Sequence, residues 1–394
     1  MSQKVGVCIV GMNGAVATTV IAGVELMKRD LSPKVGMITE GGELGALLDL
    51  APLDSLVFAG WDVNGDNAYA AAKRHGVLPP HTLAQVEGVL STYKPWPAVT
   101  THVRGDNCVE VKSFREEVTK LEADIVAWKK AHGLARVVMV NLSSTEHFLD
   151  KGDVHATPAA FEAGLDANDP RISPAMKYLY VAVKLGIPHA NFTPSLSNVP
   201  ALDAMANANG VPTAGADGKT GQTLLKTVLA PAFAIRALKV DGWYSTNILG
   251  NNDGKILDDP ASNKTKVVSK KSVLDDILGY QVENHQVHIH YYKPRGDAKE
   301  AWDNIDIQGF LGEPMQIKVN FLCKDSILAA PLVIDLVRLL EHAQRVGERG
   351  IQRQLSLFFK SPYHAEGERP VHDVSRQYEM LLAWAKTHGK RGQA

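Results

Sequence analysis

Apolar residues fill positions 5–10 (Val-Gly-Val-Cys-Ile-Val), the pattern of a parallel strand covered on both faces. Gly11-Met-Asn-Gly14 follows, and residues 15–27 then carry small and apolar side chains at helical spacing. Residues 55–59, 136–140 and 187–192 repeat the strand pattern. Helical stretches lie between them, clearest at 113–132, where Phe114, Val118, Leu121, Ile125 and Trp128 recur at three- and four-residue steps. Such alternation predicts an α/β protein with a Rossmann-like, doubly wound parallel sheet. Near Asp217 the rhythm changes. A helical stretch at 222–238 leads to strand patterns at 240–249 and 285–292, separated by a Lys- and Asp-rich span, which suits a mostly antiparallel α+β unit. An apolar helical pattern returns at 325–342. The expected division is therefore 1–197 for the Rossmann-like domain, 198–305 for an inserted domain, and 306–394 for the return of the chain to the first. The basic tail, 386–394, is expected to fray.

Residues 5–27 contain a single charge, Glu25, and superficially resemble a secretory leader. Asn13 and four glycines interrupt them and no Ala-x-Ala site closes them, so strand, turn and helix describe them better. The 394 residues suffice for two or three domains, and the formal net charge of -1 offers no global field for nucleic acid or anionic lipid. Anionic ligands must be held by local clusters instead. The cysteines, Cys8, Cys108 and Cys323, are odd in number and far apart, which argues against a disulfide framework and for a reducing cytoplasm.

Two regions carry candidate chemistry. Gly11-x-x-Gly14-Ala15 between strand and helix would let a pyrophosphate approach backbone N–H groups at the helix start, although it falls short of the full G-x-G-x-x-G fingerprint. Asp62, in Gly60-Trp-Asp62, could accept ribose hydroxyls or serve as an ordinary turn residue. The second region spans 215–299. Thr220-Gly-Gln222 heading a helix could hold a phosphate, and Lys266 and Lys270 would share a face if helical. Charge pattern alone reads that lysine run as a solvated surface. His285, His288 and His290 alternate on a strand; a zinc site would need further ligands, and a hydrogen-bonded or exposed strand face is the preferred reading.

Six segments, taken together, resemble the myo-inositol-1-phosphate synthase family in order and spacing. They are Gly60-Trp-Asp62, Gly215-x-Asp217-x-Lys-Thr-Gly-Gln-Thr223, Leu249-Gly-Asn-Asn-Asp-Gly254, Lys266-x-x-x-Lys270, Gly296-Asp-x-Lys299 and Cys323-x-Asp-Ser-x-Leu-Ala-Ala-Pro331. The resemblance runs from Val5 to Pro362 and looks like the family's compact prokaryotic branch. Departures are Thr220 for Ser, Lys264 for Arg, Gly218 for a bulky aromatic, and Thr246-Asn247 for a Tyr-Asn pair.

The resemblance implies an NAD-dependent isomerising cyclase. NAD would oxidise C5 of open-chain glucose 6-phosphate, a C6 enolate would attack the C1 aldehyde, and the hydride would return, giving 1D-myo-inositol 3-phosphate. Fixed ammonium groups suit oxygens that become negative beside a phosphate. It implies catalytic roles for Lys266, Lys270, Lys299, Lys360, Asp217, Asp253 and Asp325, with Lys266 as proton shuttle at the C5 oxygen. Thr220, Asn247, Asn251 and Lys264 would contact substrate. Gly11, Asn13, Gly14, Ala15, Asp62, Ser144, Thr145, Asp297 and Ser326 would contact NAD. Some members use a metal, so a divalent or monovalent cation at Asp325 or Asp253 stays open. A homotetramer is implied, built largely through the inserted domain; neither membrane nor nucleic acid is expected as a partner. Three other readings stand beside this one: a sister cyclase acting on another sugar phosphate such as fructose 6-phosphate, a plain NAD-dependent dehydrogenase, and a non-catalytic Rossmann protein.

Overall fold

The computed structural model describes residues 3–251, 254, 273–365 and 367–390. Eight parallel strands form the main sheet, in the order β12-β7-β6-β5-β1-β2-β3-β4. They are β1 (Val5–Val10), β2 (Leu56–Asp62), β3 (Trp96–Thr100), β4 (Cys108–Glu110), β5 (Arg136–Asn141), β6 (His189–Asn191), β7 (Pro212–Gly215) and β12 (Gly350–Ile351). All six residues of β1 are buried. Val5, Val7 and Ile9 face one hydrophobic cluster, which contains α1 (Ala15–Met27) and, late in the chain, a 21-residue helix at Asp325–Arg345. Cys8 and Val10 face the other, which contains α2 (Phe114–His132) and α3 (Pro174–Lys184). Two-sided burial is the reason the strand reads as continuously apolar.

Local chemistry sets the element ends. The Ser113 hydroxyl accepts from the Glu116 amide at the start of α2, and Gly133 ends that helix in the left-handed conformation. On its buried side lie Val118, Leu121, Ile125 and Trp128. At Gly60 the strands approach so closely that a Cβ would fall 1.9 Å from the Ile9 carbonyl oxygen. Only glycine fits there.

The second sheet has four strands in the order β11-β10-β8-β9. β8 (Lys239–Leu249) and β11 (Pro314–Lys324) flank β10 (Ala298–Gln308) antiparallel, while β9 (Asn284–Tyr291) runs parallel to β8. Helix α4 (Gly221–Ile235) contributes Ala230 and Phe233 to the cluster that covers Val240, Trp243, Ile305 and Ile307. After β11 the chain passes directly into α5, the Asp325–Arg345 helix, and returns to the main sheet; α6 (Val374–His388) closes the described chain.

The second sheet is inserted between strands of the main sheet. β7 lies after 198 and belongs to the main sheet, whereas β10 continues through 305 and β11 follows it. β11 alternates exposed and half-buried residues, so no long apolar run announces it.

His189 on β6 is fully buried, and neither ring nitrogen has a hydrogen-bond partner. Burial pulls its pKa down to about 3. The unfolded chain therefore binds the extra proton below the ordinary histidine value of 6.5, so this contribution to stability is complete above that pH and is lost as pH falls toward 3. Thermal midpoints should drop on acidification from pH 6.5, and His189→Leu should flatten part of the slope. His372, pulled down by burial to about 4, supplies a further part. Identical slopes in parent and variant would contradict the assignment.

Candidate active site

Strand register gathers the candidate segments at one edge. Trp61, Val10, Asn141, Asn191 and Gly215 lie side by side across β2, β1, β5, β6 and β7. Asp62, the Gly11 turn, Ser144 and Thr145, and the 216–220 turn all follow that row. This is the carboxyl edge of a parallel sheet, where open α/β folds bind ligands.

At the Gly11 turn, the Gly11 and Met12 amides donate to the Trp61 carbonyl at 2.9 and 3.1 Å. The Asn13 amide donates to the Asp62 carboxylate at 2.8 Å, and the Asn64 amide donates to its other oxygen at 2.9 Å. Burial raises the Asp62 pKa. The Asn13 side chain points into the following loop, donating to the carbonyls of Asn64 and Asp66, and so braces the turn. Gly14 precedes α1 with no side-chain cap, which leaves the first amides of Ala15 and its neighbours uncapped by any side chain. A Cβ at Gly11 would sit 3.0 Å from the Leu142 carbonyl oxygen, and one at Gly14 would sit 3.2 Å from that of Gly11. Uncapped helix start, small-residue cradle and nearby carboxylate fit a dinucleotide's pyrophosphate and ribose. Ser144 is exposed and Thr145 buried, just beyond β5.

The second cluster is assembled by backbone pairing. The 215–219 turn meets the returning segment 358–363: Ala216 donates to Ser361, Lys219 to Phe358, Lys360 to Asp217, and Tyr363 to Gly215, each at 2.7 Å. This brings the Lys360 Nζ to 2.8 Å from Asp217 Oδ1, with both side chains buried. Asp217 Oδ2 is buried without a hydrogen-bond partner. Lys219, in the same motif, points elsewhere: its ammonium donates to Gln377 on α6, and burial lowers its pKa to about 7.

Thr220 Oγ1 donates to Asp325 Oδ1 at 2.8 Å, and Lys299 Nζ lies 3.6 Å from the same oxygen. Asn251 Nδ2 and Ser326 Oγ donate to Asp297 Oδ1 at 3.1 and 3.0 Å. Burial raises the Asp297 pKa, and its Oδ2 is a second buried acceptor without a partner. Asn247 Nδ2 donates to Gln222 Oε1 at 2.5 Å, and its Oδ1 is likewise unpartnered. Asp253, Lys264, Lys266 and Lys270 lie outside the described residues. In β9, His285 is buried with its Nε2 2.7 Å from Lys226 Nζ, while His288 and His290 stack with ring centroids 6.2 Å apart. Among the described residues no group of three or more His, Cys, Asp or Glu could hold a metal ion.

Phe192 was not singled out from the sequence. A Cβ at Gly218 would fall 2.1 Å from its ring, so Phe192 occupies the space where an aromatic at 218 would project. Its ring packs edge-on against Phe359, with centroids 6.4 Å apart. The only sequence signal was the missing aromatic at 218.

Sheet, glycine cradle and buried Lys–Asp cluster define an NAD-binding α/β protein with an inserted sheet. The chain belongs to the myo-inositol-1-phosphate synthase family, an NAD-binding family that it matches across residues 5–386. It is 44% identical to an inositol-3-phosphate synthase of Bacteroides thetaiotaomicron, over 96% of this chain and 94% of that one. Identity to the inositol-3-phosphate synthase of Saccharomyces cerevisiae is 27%, over 96% and 84% respectively. In fold, it is similar to the crystal structure of inositol-3-phosphate synthase from Caenorhabditis elegans, with a TM-score of 0.91 at 24% identity, covering 98% of this chain and 86% of that one.

The aromatic swap is testable by stability. Gly218→Phe should destabilise by about 1–3 kcal/mol or more, as overpacked cores do. Adding Phe192→Ala should recover much of the loss in a denaturation series. A double variant no more stable than Gly218→Phe would show that the two positions do not share one space.

Proposed function

We propose that this chain is an NAD-dependent isomerising cyclase that converts D-glucose 6-phosphate to 1D-myo-inositol 3-phosphate. Family membership and the 44% identical relative support the reading. The observation that carries it is the buried pair Lys360–Asp217 together with the Thr220, Lys299 and Asp325 cluster. Bound NAD supplies reversible hydride acceptance. The Gly11–Ala15 turn, Asp62, Ser144, Thr145, Asp297 and Ser326 would hold it.

Lys360 and Lys299 would stabilise alkoxide and enolate charge in a site shielded from water. Asp217 and Asp325 would orient these ammonium groups and keep their cost of burial low. Thr220 and the uncapped start of α4 would receive the phosphate, with Asn247 and Asn251 on sugar hydroxyls. Lys266 would move the proton at the C5 oxygen, with Lys264, Lys270 and Asp253 completing the set. A divalent or monovalent cation, if taken up at Asp325 or Asp253, would add to the same charge balance.

The reading extends to a cytoplasmic homotetramer. No helix among the described residues is long and apolar enough to cross a membrane. The second sheet leaves Tyr244, Trp302 and Leu322 exposed, with Phe310 and Leu311 at a hairpin tip, an apolar set that self-association would cover. Light scattering that finds only the 42.7 kDa monomer at micromolar concentration would contradict the assembly.

Incubation with glucose 6-phosphate and sub-stoichiometric NAD should yield inositol phosphate by NMR with no net growth of NADH absorbance. Stoichiometric NADH would indicate a plain dehydrogenase. Turnover of fructose 6-phosphate alone would indicate a sister cyclase.

A further inference from the structure

Asp303 on β10 lies 3% exposed beneath the second sheet and has no place in the cluster above. Its Oδ1 accepts from the indole Nε1 of Trp243 at 2.7 Å and from the Ser245 hydroxyl at 2.6 Å. Its Oδ2 accepts from Gln222 Nε2 at 3.0 Å. An indole N–H can only donate and an ionised carboxylate can only accept, so Asp303 fixes which end of the Gln222 amide faces it. Gln222 Nε2 also reaches the Trp302 carbonyl at 3.4 Å, which favours the same orientation. Gln222 Oε1 is thereby turned toward Asn247 and accepts from its Nδ2 at 2.5 Å. Asn247 must then point its Oδ1 the other way, where it is buried with no partner.

We infer that Asp303 and Gln222 are positioning residues that force Asn247 to offer a carbonyl oxygen, and not an amide N–H, to a sugar hydroxyl. The inference rests on the proposed contact between Asn247 and the sugar phosphate. Each member is at most 3% exposed, so no solvent competes for the amide ends and one carboxylate sets the polarity of the whole row. An amide has donor and acceptor at opposite ends, and the polarity passes unchanged through two of them. The acceptor at the far end therefore requires an acceptor at the near end. Lys226, buried near Trp243 with its Nζ 5.7 Å from the ring centroid, supplies a positive charge on the same side of the sheet.

The arrangement makes a sharp substitution possible. In Asp303→Asn the new carboxamide keeps Trp243 and Ser245 only by holding its oxygen toward them, which turns its nitrogen toward Gln222. Gln222 then flips, giving up only the long bond to Trp302, and Asn247 flips in turn. The site would meet an N–H where it had an oxygen. Adding Gln222→Glu places a carboxylate between two amide nitrogens and restores Asn247 to its original orientation. Adding Asn247→Asp instead restores an acceptor directly.

The test uses the full-length enzyme with NAD. Asp303→Asn should raise KM for glucose 6-phosphate about 10- to 100-fold, the scale of one mismatched buried hydrogen bond, while KM for NAD stays at the parent value. Asp303→Asn/Gln222→Glu and Asp303→Asn/Asn247→Asp should each recover at least ~10-fold of the loss. Asp303→Asn/Lys226→Met removes both charges without restoring the polarity, and should keep the raised KM. A parent-like KM in Asp303→Asn overturns the relay, as does recovery in the Lys226 double or no recovery in the other two. If the single variant does not fold, the three doubles still decide it by the same KM order. A parent enzyme that fails to turn over glucose 6-phosphate would instead refute the proposed function, which separates the two failures.

Discussion

The backbone pairing between the 215–219 turn and the 358–363 segment is the constraint on which the rest of the site depends. Those two stretches are more than a hundred residues apart, and the whole second sheet is inserted between them. Their hydrogen bonds close the insertion, bring Lys360 to Asp217, and start α4 so that Thr220 reaches Asp325. A lysine buried on a loose segment would cost several kcal/mol and shed its proton. Here the partner carboxylate comes from the turn that the backbone bonds already hold, so ordering the segment and pairing the charge are one event.

Strand register brings the Gly11 turn and the Asp217 turn to the same edge. Five neighbouring strands end in one row, and every loop that leaves the row starts within reach of the next. The Gly11 turn takes β2 and β5 as its immediate surroundings, whereas the Asp217 turn takes β6 and the returning chain. The second sheet adds Lys299 on β10, Asp297 just before that strand and Asn251 just after β8. Asp217 Oδ2, Asp297 Oδ2 and Asn247 Oδ1 are buried acceptors without a hydrogen-bond partner within the protein.

Much of the main sheet was legible because two-sided burial makes its strands apolar and its helices periodic. β1, β2, β5 and α2 follow directly from that pattern, within a few residues at their ends. The second sheet was only half legible. β8 and β9 showed as strands, but β10 and β11 carry Asp303, Asn304 and Lys318 among their apolar residues and pass for loop. Lys360 and Lys299 read as surface lysines by pattern, and only the family resemblance singled them out, since the backbone pairing that buries Lys360 has no local signature. Phe192 and Asp303 were invisible for the same reason. Each acts through space on a residue far away in sequence, Gly218 in one case and Gln222 in the other.

The most direct test of the account is cyclase turnover of Lys360→Met beside Lys386→Met, with NAD affinity measured for both. Lys386 is a control on α6, its side chain 59% exposed and paired with Glu43. The account predicts that Lys360→Met loses at least ~100-fold in turnover, the scale of a charge-stabilising group in a closed site, with NAD affinity retained. Lys386→Met should stay near the parent. Equal and mild losses in the two variants would mean that the returning segment is only a structural closure, and would contradict the account.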